Sequence, residues 1–191
     1  MNDVIGMIHT FLYFRVILGL LFIVAGLSKA WDRRAFHDAV TGYRIVSPRL
    51  TPVVATAIIG AELVGGVLLL AGTYEWLGAA LLGLLLVAFN FALIVNLRRG
   101  RRNLDCGCFG GRTIRIGWGH VAQNTVLLAI TILIAWAAFF GDVATGVGDS
   151  ATRAVTILAA VYSVVLFLAA QEMVSVRAGL VRLLSSRVEA E

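Results

Sequence analysis

Charge is scarce in this sequence. Only 14% of its 191 residues are Asp, Glu, Lys or Arg and 60% are hydrophobic, against about 25% charged and 45–50% apolar in soluble domains, which excludes an ordinary water-soluble fold. Cysteine is scarcer still. Cys106 and Cys108 are its two occurrences, too few for a disulfide framework, and a zinc site on them would want two more ligands. Proline also occurs twice: Ser47-Pro48 reads as a turn, and Pro52 falls in the first turn of a helix, where its missing N–H costs nothing. No phosphate loop or dinucleotide fingerprint stands in a strand-loop-helix setting. The net charge of +5 comes without a basic face or aromatic platform, which excludes nucleic acid as a partner. The surplus reads as a topology signal with some attraction to anionic membrane lipid.

What the sequence does have is long apolar runs. Residues 11–30, 52–71, 76–97, 119–140 and 154–173 are each long enough to cross roughly 30 Å of hydrocarbon as a helix. The fold class is therefore all-α: a polytopic membrane protein forming one integral domain over 1–191. Four spans should make an up-and-down bundle, because the short "GTYE" turn forces spans two and three to be antiparallel neighbours. The fifth packs alongside or serves association, as an oligomer or within a larger membrane complex. The first span is not read as a cleaved signal peptide: no basic residue precedes it, Arg15 lies inside it, and no small-residue cleavage site interrupts it. Residues 31–51 read as a short amphipathic helix on the membrane surface, with Trp31 and Tyr43 at headgroup level. Gly19, Gly26, Gly60, Gly65, Gly66, Gly78 and Gly83 read as points of close helix contact. Trp31, Trp76, Trp118 and Trp136, all near span ends, read as interface anchors.

Cytoplasmic loops carry an excess of Lys and Arg. Lys29 at the membrane edge, with Arg33, Arg34, Arg44 and Arg49, follows span one; Arg98, Arg99, Arg101, Arg102, Arg112 and Arg115 follow span three; the tail adds Arg177, Arg182 and Arg187. The first ten residues and "GTYE" have neither, and the loop before span five has only Arg153. The N-terminus is thus expected outside, and the C-terminus and the cysteine loop on the cytoplasmic side of the cell's inner membrane.

Within the spans, Arg15 and Glu62 are costly if alone and should face the interior or water. A mutual pair is within reach of the long arginine side chain, as a structural ion pair or as a proton-relay or ligand site. Asn90 reads as an interhelical hydrogen-bonding residue. Lys29, Asn96, His120, Gln123 and Asn124 approach the membrane on the cysteine side, and His120 is positioned in sequence to assist thiol deprotonation.

The reactive chemistry lies in "RRNLDCGCFGGR", residues 101–112. Gly107, Gly110 and Gly111 free the backbone to present both sulfurs together. Neighbouring arginines favour thiolate over thiol, opposed weakly by Asp105. A Cys-X-Cys disulfide closes a small strained ring, easily reduced, which suits an exchange centre better than a staple. Three readings stay open: thiol-disulfide exchange, a metal site for Cu(I), Hg(II) or, with two further ligands, zinc in a binding or transport protein, and incidental cysteines in a non-catalytic scaffold subunit.

The chain resembles the MauE family, methylamine-utilisation membrane proteins related to the DoxX-like group. The resemblance runs through "RVILGLLFIVAGLSKAWD" (15–32), "AELVGGVLLLAG" (61–72), "NLRRGRRNLDCGCFG" (96–110) and "GHVAQN" (119–124). It implies a four-helix core and a redox-associated role beside a thioredoxin-like partner, supporting disulfide formation or thiol supply in exported proteins. A fifth span goes beyond that core. Two cysteines fixed at the cytoplasmic face cannot pass electrons across the membrane unaided. Either the pair is reached from both faces, or electrons pass to a carrier such as a bound quinone, or the protein works on one face. The first is expected here: cytosolic reductant reduces the pair, and the dithiol reduces an extracytoplasmic thioredoxin-like partner.

Overall fold

Apolar runs with no internal proline form uninterrupted helices, because nothing in a hydrocarbon setting competes with the backbone's own i to i−4 bonds. In a computed structural model, which describes residues 2–101, 104, 116–140 and 150–188, the described residues form helices α1 (Asn2–Trp31), α2 (Arg33–Tyr43), α3 (Thr51–Ala71), α4 (Glu75–Arg98), α5 (Trp118–Phe140) and α6 (Ser150–Val188), with no strand. Five are long and apolar enough to cross a membrane: α1 over His9–Trp31, α3, α4, α5 over Trp118–Phe139, and α6 over Ser150–Ala170. The chain is a multi-pass membrane protein. The observed α6 continues well beyond the expected end at residue 173.

Helices α1, α3, α4 and α5 form the up-and-down bundle. Gly19 of α1 meets Leu70 of α3 while Gly26 meets Leu63; Gly65 of α3 meets Leu82 of α4; Gly83 of α4 faces Thr131 of α5. Each of these neighbours is antiparallel, and α5 returns to α1. The shared core is Leu18, Phe22, Leu69, Ala79, Leu82, Leu86 and Ile134. Helix α6 stands outside this ring and packs chiefly on α1. It runs parallel to it, with Tyr13 Oη and Ser163 Oγ 2.7 Å apart and His9 Nδ1 and Thr156 Oγ1 3.5 Å apart.

Glycine sets how closely α1 and α3 approach. A Cβ on Gly66 would lie 2.8 Å from the Gly19 carbonyl oxygen and 2.7 Å from Ile23 Cγ1. Backbone cannot yield as a side-chain tip can. Gly60 differs from the expectation: nothing lies within 4 Å of the position its Cβ would take.

The amphipathic segment after α1 is helical over Arg33–Tyr43, shorter than expected. Asp32 caps it by accepting the Ala35 N–H at 3.0 Å, and Arg44, in the left-handed region at φ 50°, ends it. Its apolar side is used on protein: Phe36, 4% exposed, packs on Ala55 and Ile59 in the first half of α3. Tyr43 is partly buried, whereas Trp31 is 95% exposed, and Trp76, Trp118 and Trp136 are exposed too.

Gly66→Ala is expected to destabilise the protein by about 1–3 kcal/mol through overpacking against backbone, and Gly60→Ala by no more than about 0.5 kcal/mol. Unfolding of the purified protein in mixed micelles checks both. Equal stability of the two variants would contradict the close α1–α3 approach.

Candidate functional site

Lys29 and Glu62 come together because of the α1–α3 register. Gly26 lies against Glu62 and Leu63, so Lys29, nearly one turn further along α1, reaches the Glu62 carboxylate. Its Nζ donates to Oε1 at 2.6 Å and to Oε2 at 2.8 Å. The side chains are 2% and 1% exposed. Lys29 also lies in the last turn of α1, where helix carbonyls favour a cation. The rings of Phe36 from α2 and Phe89 from α4 stand 5.5 Å and 5.7 Å from the ammonium, close enough for cation–π attraction. Four helices thus converge on one buried charge.

The pair forms part of the wall of a cavity of about 280 Å³. Its surface is otherwise mainly apolar, including Phe22, Phe36 and Phe89, with Tyr43, Gln123 and Asn124 among its few polar contributors. Phe91 of α4 also lines it and is 60% exposed on the outer face of that helix.

The expected Arg15–Glu62 pair does not form. Glu62 faces the level of Gly26, and Arg15 lies eleven residues earlier, about 16 Å along the axis. Arg15 instead pairs with Glu75, the first residue of α4, beneath the α3–α4 turn. Gly72 makes room there: at φ 71°, its Cβ position lies 3.2 Å from both terminal guanidinium nitrogens. Nor is Lys29 an edge residue. The first half of α3 extends past the end of α1 with α2 folded against it, which buries the lysine. It does not count among the loop charges.

Cys106 and Cys108, with Asp105, Gly107 and Gly110, lie outside the described residues. The nearest described residues with contacts on either side are Leu104 and Ile116. Ile116 donates its N–H to the Leu104 carbonyl at 3.0 Å, and both pack with Leu93, Leu97, Tyr43 and Val121. Asn96, fully buried, ties this end together: Nδ2 donates to the Tyr43 and Ala92 carbonyls at 3.1 Å and 3.0 Å, and Oδ1 accepts from Arg101 at 3.1 Å. Asn96 was expected near the cysteines; its role as the clasp between α2 and α4 had no sequence signal. His120 sits at the start of α5, its Nδ1 buried without a hydrogen-bond partner among the described residues. Asn90 Nδ2 approaches Thr125 Oγ1 across α4 and α5 at 3.4 Å, the interhelical contact expected of it.

Comparison with known proteins adds a family. The family described as methylamine utilisation protein MauE matches residues 7–137, which include α2–α4 and most of α1 and α5, and exclude α6. The methylamine utilization protein MauE of Paracoccus denitrificans is 34% identical over 122 residues, covering 63% of this chain and 66% of its own length. That of Paracoccus versutus is 36% identical over 119 residues, covering 62% and 64%, and that of Methylophilus methylotrophus is 29% identical over 120 residues, covering 62% and 63%. The chain therefore spans slightly less than two thirds of the length of these curated relatives. No solved structure matches it.

Removing one member of a buried ion pair strands the other, whereas replacing both with apolar groups can be neutral. Lys29→Met or Glu62→Leu alone should cost about 3–5 kcal/mol, and the double substitution should recover most of that loss. A double-mutant cycle on unfolding in mixed micelles measures the coupling. Strict additivity would show that the two charges do not act as a unit.

Proposed function

Because the chain belongs to the methylamine utilisation protein MauE family, we propose that it is an inner-membrane redox protein of methylamine utilisation, exchanging thiols and disulfides with a thioredoxin-like partner through Cys106 and Cys108. The observation that carries this reading is the Leu104–Ile116 clamp at 3.0 Å. Leu104 and Ile116, which bracket the cysteines in sequence, meet against Leu93 and Leu97 of α4, and the next residues of that helix end, Arg98 and Arg99, are exposed. Cations there favour thiolate, the form that attacks.

The exchange conserves electrons. One thiolate attacks a partner sulfur; the partner's S–S bond breaks, a mixed disulfide forms, and the departing thiolate takes up a proton. The second cysteine then attacks the mixed disulfide and loses its proton. The partner leaves as a dithiol, and Cys106 and Cys108 are left joined. Run backwards, the same steps oxidise a partner. Arginines at the α1–α2 and α4–α5 ends support an orientation with the N-terminus outside and the loop cytoplasmic. In that orientation the pair is reached from both faces, transfers its electrons to a carrier within the membrane, or serves a partner on the cytoplasmic face alone.

Single Cys106→Ser and Cys108→Ser variants separate attack from resolution. The variant retaining the attacking cysteine should accumulate a mixed disulfide with a thioredoxin-fold protein, visible on non-reducing gels and absent from the double variant. If neither single variant forms one, the exchange reading fails. Labelling with a membrane-impermeant thiol reagent in intact cells and inverted vesicles should reach the pair from the cytoplasmic face; labelling from the outer face alone would reverse the orientation.

A further inference from the structure

The cavity beside Lys29 and Glu62 has the properties of a ligand site. At about 280 Å³ it lies just below the usual range of roughly 300–1,000 Å³. That is room for a single ring-sized group and too little for a dinucleotide or a peptide. Its walls come from membrane-spanning helices, from α2 and from Ile45 and Val46 just beyond it, and Phe91, 60% exposed on α4, belongs to its lining. Phe91 brings part of that lining to the lipid-facing side of the bundle, within reach of a membrane-soluble occupant.

The charge pair selects the head of that occupant. An anionic head drawn to Lys29 would also face Glu62, and a cationic head would meet the reverse conflict. A neutral polar head avoids both. The ammonium has three N–H donors, of which two go to Glu62. Each carboxylate oxygen retains acceptor capacity beyond the bond it takes from Lys29. The pair can thus donate to an oxygen and accept from a hydroxyl at the same place. Phe36 and Phe89 add aromatic surface suited to packing against a flat ring.

We propose that this cavity binds the head ring of a membrane-soluble quinone, whose carbonyl accepts from Lys29 and whose hydroxyl, in the reduced form, donates to Glu62. The binding site stands on the cavity and the ion pair. Its use as the acceptor for the Cys106–Cys108 dithiol rests on the reading above. In that use two S–H bonds break and one S–S bond forms. The two electrons and two protons released convert the two quinone carbonyls to hydroxyls.

The test uses full-length protein in nanodiscs of synthetic phosphatidylcholine, with decylubiquinone as the probe and decanol as a ringless control. Decylubiquinone should give a saturable rise in Tm of several degrees, and decanol should give none. The Lys29→Met/Glu62→Leu double variant should bind the probe at least tenfold more weakly. Ala92→Phe, which fills the cavity and leaves the pair intact, should do the same. No saturable shift, an equal shift with decanol, or unchanged binding in a folded variant of either kind overturns the proposal. The Cys106→Ser/Cys108→Ser protein keeps the two ideas separate: it should still bind decylubiquinone. Binding in that protein, with no mixed disulfide from either single variant, would remove the exchange reading and leave the quinone site. A mixed disulfide without quinone binding would do the opposite.

Discussion

An ammonium buried among apolar side chains must have its counter-ion, and the arrangement of this protein follows from meeting that requirement at Lys29. Glu62 supplies the charge from α3, while Phe36 and Phe89 bring α2 and α4 to the same point. Burial strengthens the attraction by lowering the local dielectric and makes any separation expensive. Helix α3 cannot slide along α1, nor can α2 swing away, without weakening this cluster. The second pair, Arg15 with Glu75, fixes α1 to the start of α4 near the other end of the bundle. One helix is therefore held at two levels by two different partners.

Close packing and polar contacts then act on the frame the charges set. Gly19 and Gly66 let α1 and α3 approach to backbone contact, and Gly65 admits Leu82 of α4. Dispersion gains strength with proximity, which matters where lipid removes the hydrophobic drive for helices to associate. Asn96 closes the end near the cysteine segment by joining the Tyr43 carbonyl to α4 and Arg101. Helix α1 contacts α2, α3, α5 and α6 and is the hub of the protein.

Much of this was legible from residue pattern. Long apolar runs announced five spans, and the short turn after Ala71 required an antiparallel pair. Arg15 and Glu62 stood out because ionisable groups in a span are costly, and both are indeed paired. Their partners were not legible. Pairing depends on the register between helices, and a sequence gives depth only by counting from span ends. Lys29 shows the same difficulty: its place near the end of α1 suggested the membrane edge, but α2 folding back over α3 put it inside. Gly60 resembled the contact glycines in composition, yet its side of α3 has no close neighbour. The cysteine segment is the converse case, where chemistry could be argued from "DCGCFGG" alone and the fold contributes the anchorage of its flanks at Leu104 and Ile116.

The two ion pairs also bear on how the chain enters the membrane. Both cations are on α1, which is made before α3 and α4, and their partners lie 33 and 60 residues further on. Translocon-based scales charge about 2.5–3.5 kcal/mol for a lone Lys or Arg at a span centre and less toward the ends. Helix α1 therefore emerges from the ribosome carrying two unmet debts of charge. It gains its final depth only when α3 and α4 follow, which makes α1, α3 and α4 a single unit of biogenesis, whereas α6 can join after that unit is complete.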